Sequence, residues 1–282
     1  MFIVISAYVR PPDVAPLKES GSILIKKAVN SLERLQAVLD VFTEDRLEWT
    51  PEELMEELGY SRPTLYRYLK ILKDRGFLTS MPNTGFTLGP RVVEMDYLLR
   101  KSDNLILSGA PYLRKLTERY ECTALLVRWY GEKILCVDSL SSSHEAISSY
   151  PRGRPMPLSR GAIGRSIIAF LPRRNLVPLI KRTLHEWQAA GVGGTVDAVL
   201  NGLKSVRKKG YAVAYGEVTP GVTGFAAPIF DAGQSPIASF SVTIAQDQAR
   251  GPAVEEIGLE VRLAAGEISA ALASHRHKIS RQ

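Results

Sequence analysis

The sequence predicts a two-domain α+β protein, and three observations carry that prediction. Between residues 26 and 89, three short apolar stripes at helical spacing precede two short strand-like runs around an Asn/Gly turn. From 90 to 106 one helical pattern with interleaved charges continues the chain. From 109 to 274, strand-like runs mix with helical ones in the manner of an antiparallel sheet with helices on its faces. The 282 residues leave room for two domains. A hydrophobic fraction of 45% and a charged fraction of 23% exclude a mainly disordered chain. No apolar run approaches the roughly 18–20 residues that span a bilayer. Two cysteines, Cys122 and Cys136, exclude a disulfide scaffold and fit a reducing cytoplasm, where the protein is expected. The histidines at 144, 185, 275 and 277 are scattered, so no zinc site or other metal centre is expected, and nothing calls for a cofactor.

Residues 1–25 hold three prolines and a Gly-Ser pair, and read as a flexible extension. Phe2 to Val9 is apolar but lacks a basic leader, so it does not read as a signal peptide. Val29, Leu32, Leu35, Val38, Leu39 and Phe42 then mark a helix over Ala28–Phe42. Thr50-Pro51-Glu52-Glu53 is a capping box with proline at the first helical position, and the short helix it starts ends at Gly59. Ser61 is placed to cap a third helix whose Leu65, Leu69 and Leu72 face inward and which stops at Gly76. Phe77–Met81 and Phe86–Leu88 flank Pro82-Asn83-Thr84-Gly85 as a hairpin. Helix, helix, tight turn, helix and hairpin over 26–89 outline a winged helix-turn-helix.

A linker helix is expected over 90–108, and a second domain over 109–274, followed by a tail at 275–282. In the second domain a helix is expected from about Ala110 to Tyr120, with others over Ile163–Phe170, Leu176–Trp187, Val196–Lys209 and Glu255–Ser274. Strands are expected over Thr123–Val127, Lys133–Ser139, Ala146–Tyr150, Ala212–Gly216, Gly224–Phe230 and Ile237–Ile244.

The net charge of +7 does not by itself mark a nucleic-acid binder, because residues 1–108 carry 14 Lys+Arg against 15 Asp+Glu. The local distribution is more telling. Ser61 to Arg75 holds five basic residues and one acid, whereas Glu44 to Glu57 holds seven acids and one arginine. A positive helix beside a negative one has a field that turns the third helix toward phosphate. Arg62, Thr64 and Arg67 sit where a recognition helix meets base edges, Lys70, Lys73 and Arg75 lie where it meets phosphates, and Ser61 and Tyr66 complete the expected DNA-binding set. A basic arc alone often marks only a solvated face; the ordered assembly around it points to double-stranded DNA.

The sequence resembles the IclR-type bacterial transcription regulators. The resemblance rests on Ser31–Leu35, Ser61-Arg62-Pro63-Thr64-Leu65-Tyr66-Arg67-Tyr68-Leu69 and the hairpin from Gly76 to Leu88. In the second half it rests on Pro157–Ser166, Gly210-Tyr211-Ala212, Glu217, Gly221-Val222 and Ala226–Asp231. It covers roughly residues 26–274 and implies a winged-helix DNA reader joined by a linker helix to a GAF-like effector domain. It further implies a dimer or dimer of dimers on a palindromic operator, responding to a small organic acid.

For that effector, Gly161, Ala162 and Ile163 present free backbone N–H groups at the positive end of a helix, a seat suited to a carboxylate. Small residues here equally suit helix-on-sheet packing; the resemblance favours the ligand. It also implies an opposite wall from Ala214 or Tyr215, Gly224, Ser239 and Ser241, the two serines sharing one strand face. With Tyr215 and Phe225 as aromatic lining, and Met156 and Leu158 closing the pocket or belonging to the core, an aromatic or mid-sized carboxylate is expected. Arg152 and Arg154 are open between an acid ligand and a solvated loop, and Glu217 between a loop contact and a ligand contact. Gly-x-Ser-x-Gly, His-Glu-x-x-His and Walker patterns are absent, which argues against an enzyme. The remaining alternative is a DNA-binding protein whose second domain serves only oligomerisation.

Overall fold

The computed structural model describes residues 30–82, 85–131, 133–143 and 150–279, with side chains as far as 274. The chain divides between Ser102 and Asp103 into two compact units. The first holds α1 (Ser31–Asp40), α2 (Pro51–Leu58), α3 (Arg62–Asp74), the hairpin β1 (Leu78–Met81) and β2 (Gly85–Leu88), and α4 (Pro90–Ser102). Each end follows local chemistry. The Asn30 side chain accepts from Leu32 and Glu33 N–H at α1. The expected capping box forms at Thr50, and Gly59 closes α2 in the left-handed conformation. Leu54, Leu65, Tyr68, Leu69 and Leu72 pack with Val38 and Trp49 into one core. Gly85 admits the Trp49 backbone, which pairs with Phe86 beside the wing; a Cβ at 85 would lie 2.2 Å from the Trp49 carbonyl oxygen.

The second unit holds α5 (Asn104–Arg119), β3 (Cys122–Trp129), β4 (Ile134–Ser141), β5 (Pro155–Met156) and α6 (Gly161–Ile168). It continues with α7 (Arg173–Arg182), α8 (Leu184–Ala189), α9 (Val196–Lys209), β6 (Ala212–Tyr215), β7 (Val222–Phe230), β8 (Pro236–Ala245) and α10 (Pro252–Ile279). The six strands form one antiparallel sheet in the order β5-β4-β3-β8-β7-β6. Strand alternation splits the sheet's two faces. Ala124, Leu126, Phe225, Ala227, Phe240 and Val242 pack against α5 and α10. Ala212, Ala214 and Ala226 pack against the layer of α6, α7 and α9. Leu125, Val127, Ile134 and Cys136 meet Ile167 of α6 on that same face.

The structure corrects several sequence expectations. The helix expected over 90–108 is broken at Asp103, whose extended backbone and side chain cap α5 through Leu105 N–H at 2.9 Å. Asp103 also accepts from Arg128 at 2.6 Å, so the break is tied to β3. As a result α5 starts at Asn104 rather than near Ala110, with Pro111 inside it. The single helix expected over Leu176–Trp187 is two, α7 and α8. Thr183 stands between them, donating to the Leu179 carbonyl and accepting from Trp187 Nε1. The strand β5 was not anticipated. α10 begins three residues before the expected Glu255 and continues past Ser274 to Ile279, through most of the expected tail. The extension at 1–25 and the strand at Ala146–Tyr150, apart from Tyr150 itself, lie outside the described residues. Among the described residues no helix is long and apolar enough to cross a membrane.

Candidate functional site

α3 buries Leu65, Tyr68, Leu69 and Leu72 and turns its basic side chains outward. Ser61, Arg62, Tyr66, Arg67, Lys70 and Lys73 are exposed, and Thr64 is half-buried. Ser61 stands at the N-cap without bonding a helix N–H; its hydroxyl donates to Thr64 Oγ1 at 3.0 Å instead. That leaves the first-turn N–H groups of α3 unclaimed by a capping side chain. Arg62 lies 5.4 Å from the Tyr66 ring centroid and Arg67 5.2 Å from that of Tyr68. The Tyr68 hydroxyl meets Ser31 Oγ at 3.1 Å, which fixes α3 against α1. The result is a rigidly seated helix that presents guanidinium, ammonium and hydroxyl groups on one exposed face, the donor set that reads phosphates and base edges.

A cavity of about 550 Å³, counted to its open mouth, lies in the second unit where α6 meets the sheet. Gly161, Ala162 and Ile163 form one wall, Met156 and Pro157 another, and Ala214, Val222, Gly224, Ser241 and Thr243 the floor. The loop after β6 closes it with Glu217, Val218 and Thr219, and Tyr150 and Arg160 complete it. Gly161 takes φ +78, and a Cβ there would lie 3.1 Å from Val218 Cγ2, so glycine suits both the backbone and the space. At Gly224 a Cβ would meet only Ala162 and Thr243 at 3.9 Å, ordinary contact. The lining is mainly apolar, and its charged members are Arg160 and Glu217.

Of the residues expected at the effector site, the structure brings Gly161, Ala162, Ile163, Met156, Gly224 and Ser241 together around this cavity. Four do not line it. Phe225 is fully buried on the opposite face of the sheet, packed toward α5 and α10, because neighbours on a strand cannot share a face. Tyr215 is likewise one residue out of phase with the lining Ala214 and is exposed. Ser239 shares the face of Ser241 but is engaged with Ser166 Oγ at 2.9 Å and the Ala227 carbonyl at 3.1 Å. Leu158 packs into the hydrophobic layers around α6. Ala214, expected as the alternative to Tyr215, lines the cavity, and Val222 and Thr243 follow from Gly224 and Ser241 by alternation along their strands. Glu217, Val218 and Thr219 come from a loop, whose placement no periodicity reveals.

Arg152 and Arg154 do not line the cavity; Arg154 lies 5.5 Å from the ring centroid of Tyr150, which does. Burial pushes the Cys122 thiol up to about 12 and the Cys136 thiol up to about 11, so neither is a reactive thiolate at neutral pH. Both cysteines are free. Among the described residues no cluster of His, Cys, Asp or Glu suits a metal ion.

Glu217 decides the electrostatics at the head of α6. Its Oε2 accepts from Gly161 N–H at 3.0 Å, and its Oε1 forms a close ion pair with Arg165. Its backbone carbonyl accepts from Arg160. The Gly161 N–H, expected to be free for a ligand carboxylate, donates in this structure to a carboxylate of the chain's own.

Comparison with known proteins agrees with both units. Residues 31–82 match the IclR helix-turn-helix domain, and residues 98–270 match the C-terminal domain of the bacterial transcriptional regulator IclR. The transcriptional repressor IclR of Escherichia coli is 27% identical over 272 residues, covering 95% of this chain and 96% of its own. The regulator XynR of the same organism is 26% identical over 216 residues, 76% of this chain and 86% of its own. The Pca regulon regulatory protein of Pseudomonas putida is 25% identical over 247 residues, 84% and 81%. Among solved structures, an IclR regulator from Alicyclobacillus acidocaldarius superposes with a TM-score of 0.72 at 22% identity, over 86% of this chain and 98% of that one. An IclR homologue from Microbacterium hydrocarbonoxydans, complexed with 4-hydroxybenzoate, gives 0.70 at 23% identity, over 87% and 100%. A basic exposed helix in a winged unit, a mainly apolar cavity in a second unit and a family match over more than half the length lead to one conclusion: the chain belongs to the IclR family and is a DNA-binding transcription regulator.

Proposed function

We propose that this regulator senses an aromatic or mid-sized organic acid in the cavity beside α6 and reports it through the occupancy of a palindromic operator. The carrying observation is the cavity itself: a mainly apolar chamber that ends at the N–H groups and positive dipole end of a helix. An apolar body and a single anionic head match that division. The 4-hydroxybenzoate in the Microbacterium homologue has the same two parts and supports the reading.

On the DNA side, Ser61, Arg62, Thr64, Tyr66 and Arg67 address base edges in the major groove, and Lys70 and Lys73 address phosphates. Two such helices, contributed by a dimer or by pairs within a dimer of dimers, would enter successive grooves roughly 34 Å apart. Ligand alters operator affinity only if it binds the competent and incompetent arrangements unequally. The protein acts in the cytoplasm in this reading.

The test is thermal unfolding of the full chain with 4-hydroxybenzoate, benzoate and a series of aliphatic acids. An effector at a hundred times its Kd adds about 2.7 kcal/mol to the native state. A concentration-dependent rise in Tm with one acid class is expected. An unmoved Tm across the panel would overturn the acid-sensor reading.

A further inference from the structure

The carboxylate already held at the cavity head limits how an acid can bind there. We propose that Glu217 is an internal occupant of the anion seat and that an acidic effector enters by taking its place, which makes Glu217 the residue that sets selectivity between acids and neutral ligands. The inference rests on the acid-sensor reading above and adds to it the means of entry.

Three observations carry it. The Glu217 carboxylate takes the Gly161 N–H, a donor on the cavity wall that an incoming carboxylate would use, and is held there by its ion pair with Arg165. A second anion placed beside it would face like-charge repulsion in a partly desolvated site; the Glu217 and Arg165 side chains are only 21% and 14% exposed. The loop that carries Glu217 is also a wall of the cavity through Val218 and Thr219, so moving the carboxylate and widening the chamber are one motion. That loop is bounded by Gly216 at φ +63 and Gly221 at φ +75. Glycines at its two ends allow backbone rotation that other residues resist. A neutral ligand of the same shape meets no charge repulsion from Glu217 and can bind with that carboxylate in place. The competing interpretation makes Glu217 a fixed cap that neutralises Arg165 and the head of α6.

Calorimetric titration of the full-length protein and its Glu217→Gln variant with 4-hydroxybenzoate and with 4-hydroxybenzamide, read together with hydrogen exchange, separates the two. Removing the internal anion while keeping side-chain size should tighten acid binding at least tenfold, and by much more than it changes amide binding. Acid binding that is unchanged or weaker in the variant overturns the displacement. If the wild type takes the acid and the variant gains nothing, displacement fails while the acid-sensor reading stands. If neither protein takes the acid, both fail. Wild-type hydrogen exchange gives a readout independent of the variant's folding. Adding the acid, but not the amide, should speed exchange in residues 216–221 as Glu217 leaves its partners; unchanged or slower exchange there with bound acid also overturns the proposal.

Discussion

Gly224 shows how one missing side chain shapes the cavity. Its backbone is ordinary strand, and a Cβ would fit at van der Waals distance from Ala162 and Thr243, so the position accepts larger residues without strain. Gly224→Val should therefore keep the fold, with Tm within a few degrees, while its methyl groups occupy space above the floor. Loss of the Tm response to aromatic acids, with circular dichroism unchanged, is the expected outcome; a full response would mean that the ligand does not rest against this strand. Its neighbour Phe225 faces away from the cavity into the core beneath α5 and α10, because a period of two sends adjacent strand residues to opposite faces. Tyr215 misses the cavity for the same reason beside Ala214.

Individual elements carry the DNA-reading unit. The box at the start of α2 joins Thr50 Oγ1 to Glu53 N–H at 3.3 Å, and Glu53 Oε2 to Thr50 N–H at 2.8 Å and Thr50 Oγ1 at 2.9 Å. The Thr50 backbone and hydroxyl bonds, aided by Arg46, hold the Glu53 carboxyl below its ordinary value. A carboxyl lowered in the folded state adds stability above its unfolded value, about 4.3, which is lost as pH falls through the folded one. Thr50→Ala should therefore lower the urea midpoint at pH 7 and lower it less near pH 3. An equal cost at both pH values would separate the cap from the ionised carboxylate. On α3, Arg67→Ala should weaken operator binding more than binding to random DNA. Lys73→Ala should weaken both alike and lower the salt slope by about one per copy. Gel-shift titrations over a range of salt check both, and the converse pattern would exchange the two assigned roles. The elements of this unit were legible because caps, glycine stops and leucine spacing are local signals. The break at Asp103 was not, because the apolar pattern runs through it and the partner that anchors it, Arg128, is 25 residues away.

In the whole molecule the two units hold separate cores, one drawn from residues 38–78 and the others from residues 105–268. Separate cores favour separate unfolding. Differential scanning calorimetry should resolve two transitions, of which an acid effector raises the one belonging to residues 103–279; a single transition moved as a unit would show the cores to be energetically joined. The sequence by itself determined the family, the two-unit plan, the basic face of α3 and the glycine-led start of α6, because capping, periodicity and charge spacing are written within a few residues. Only the tertiary structure decided which strand residues face the cavity, where the linker breaks, and that the Glu217 carboxylate takes the Gly161 N–H. These depend on side chains such as Gly161 and Glu217, 56 positions apart, being brought into contact by the sheet, and no local pattern encodes such a meeting.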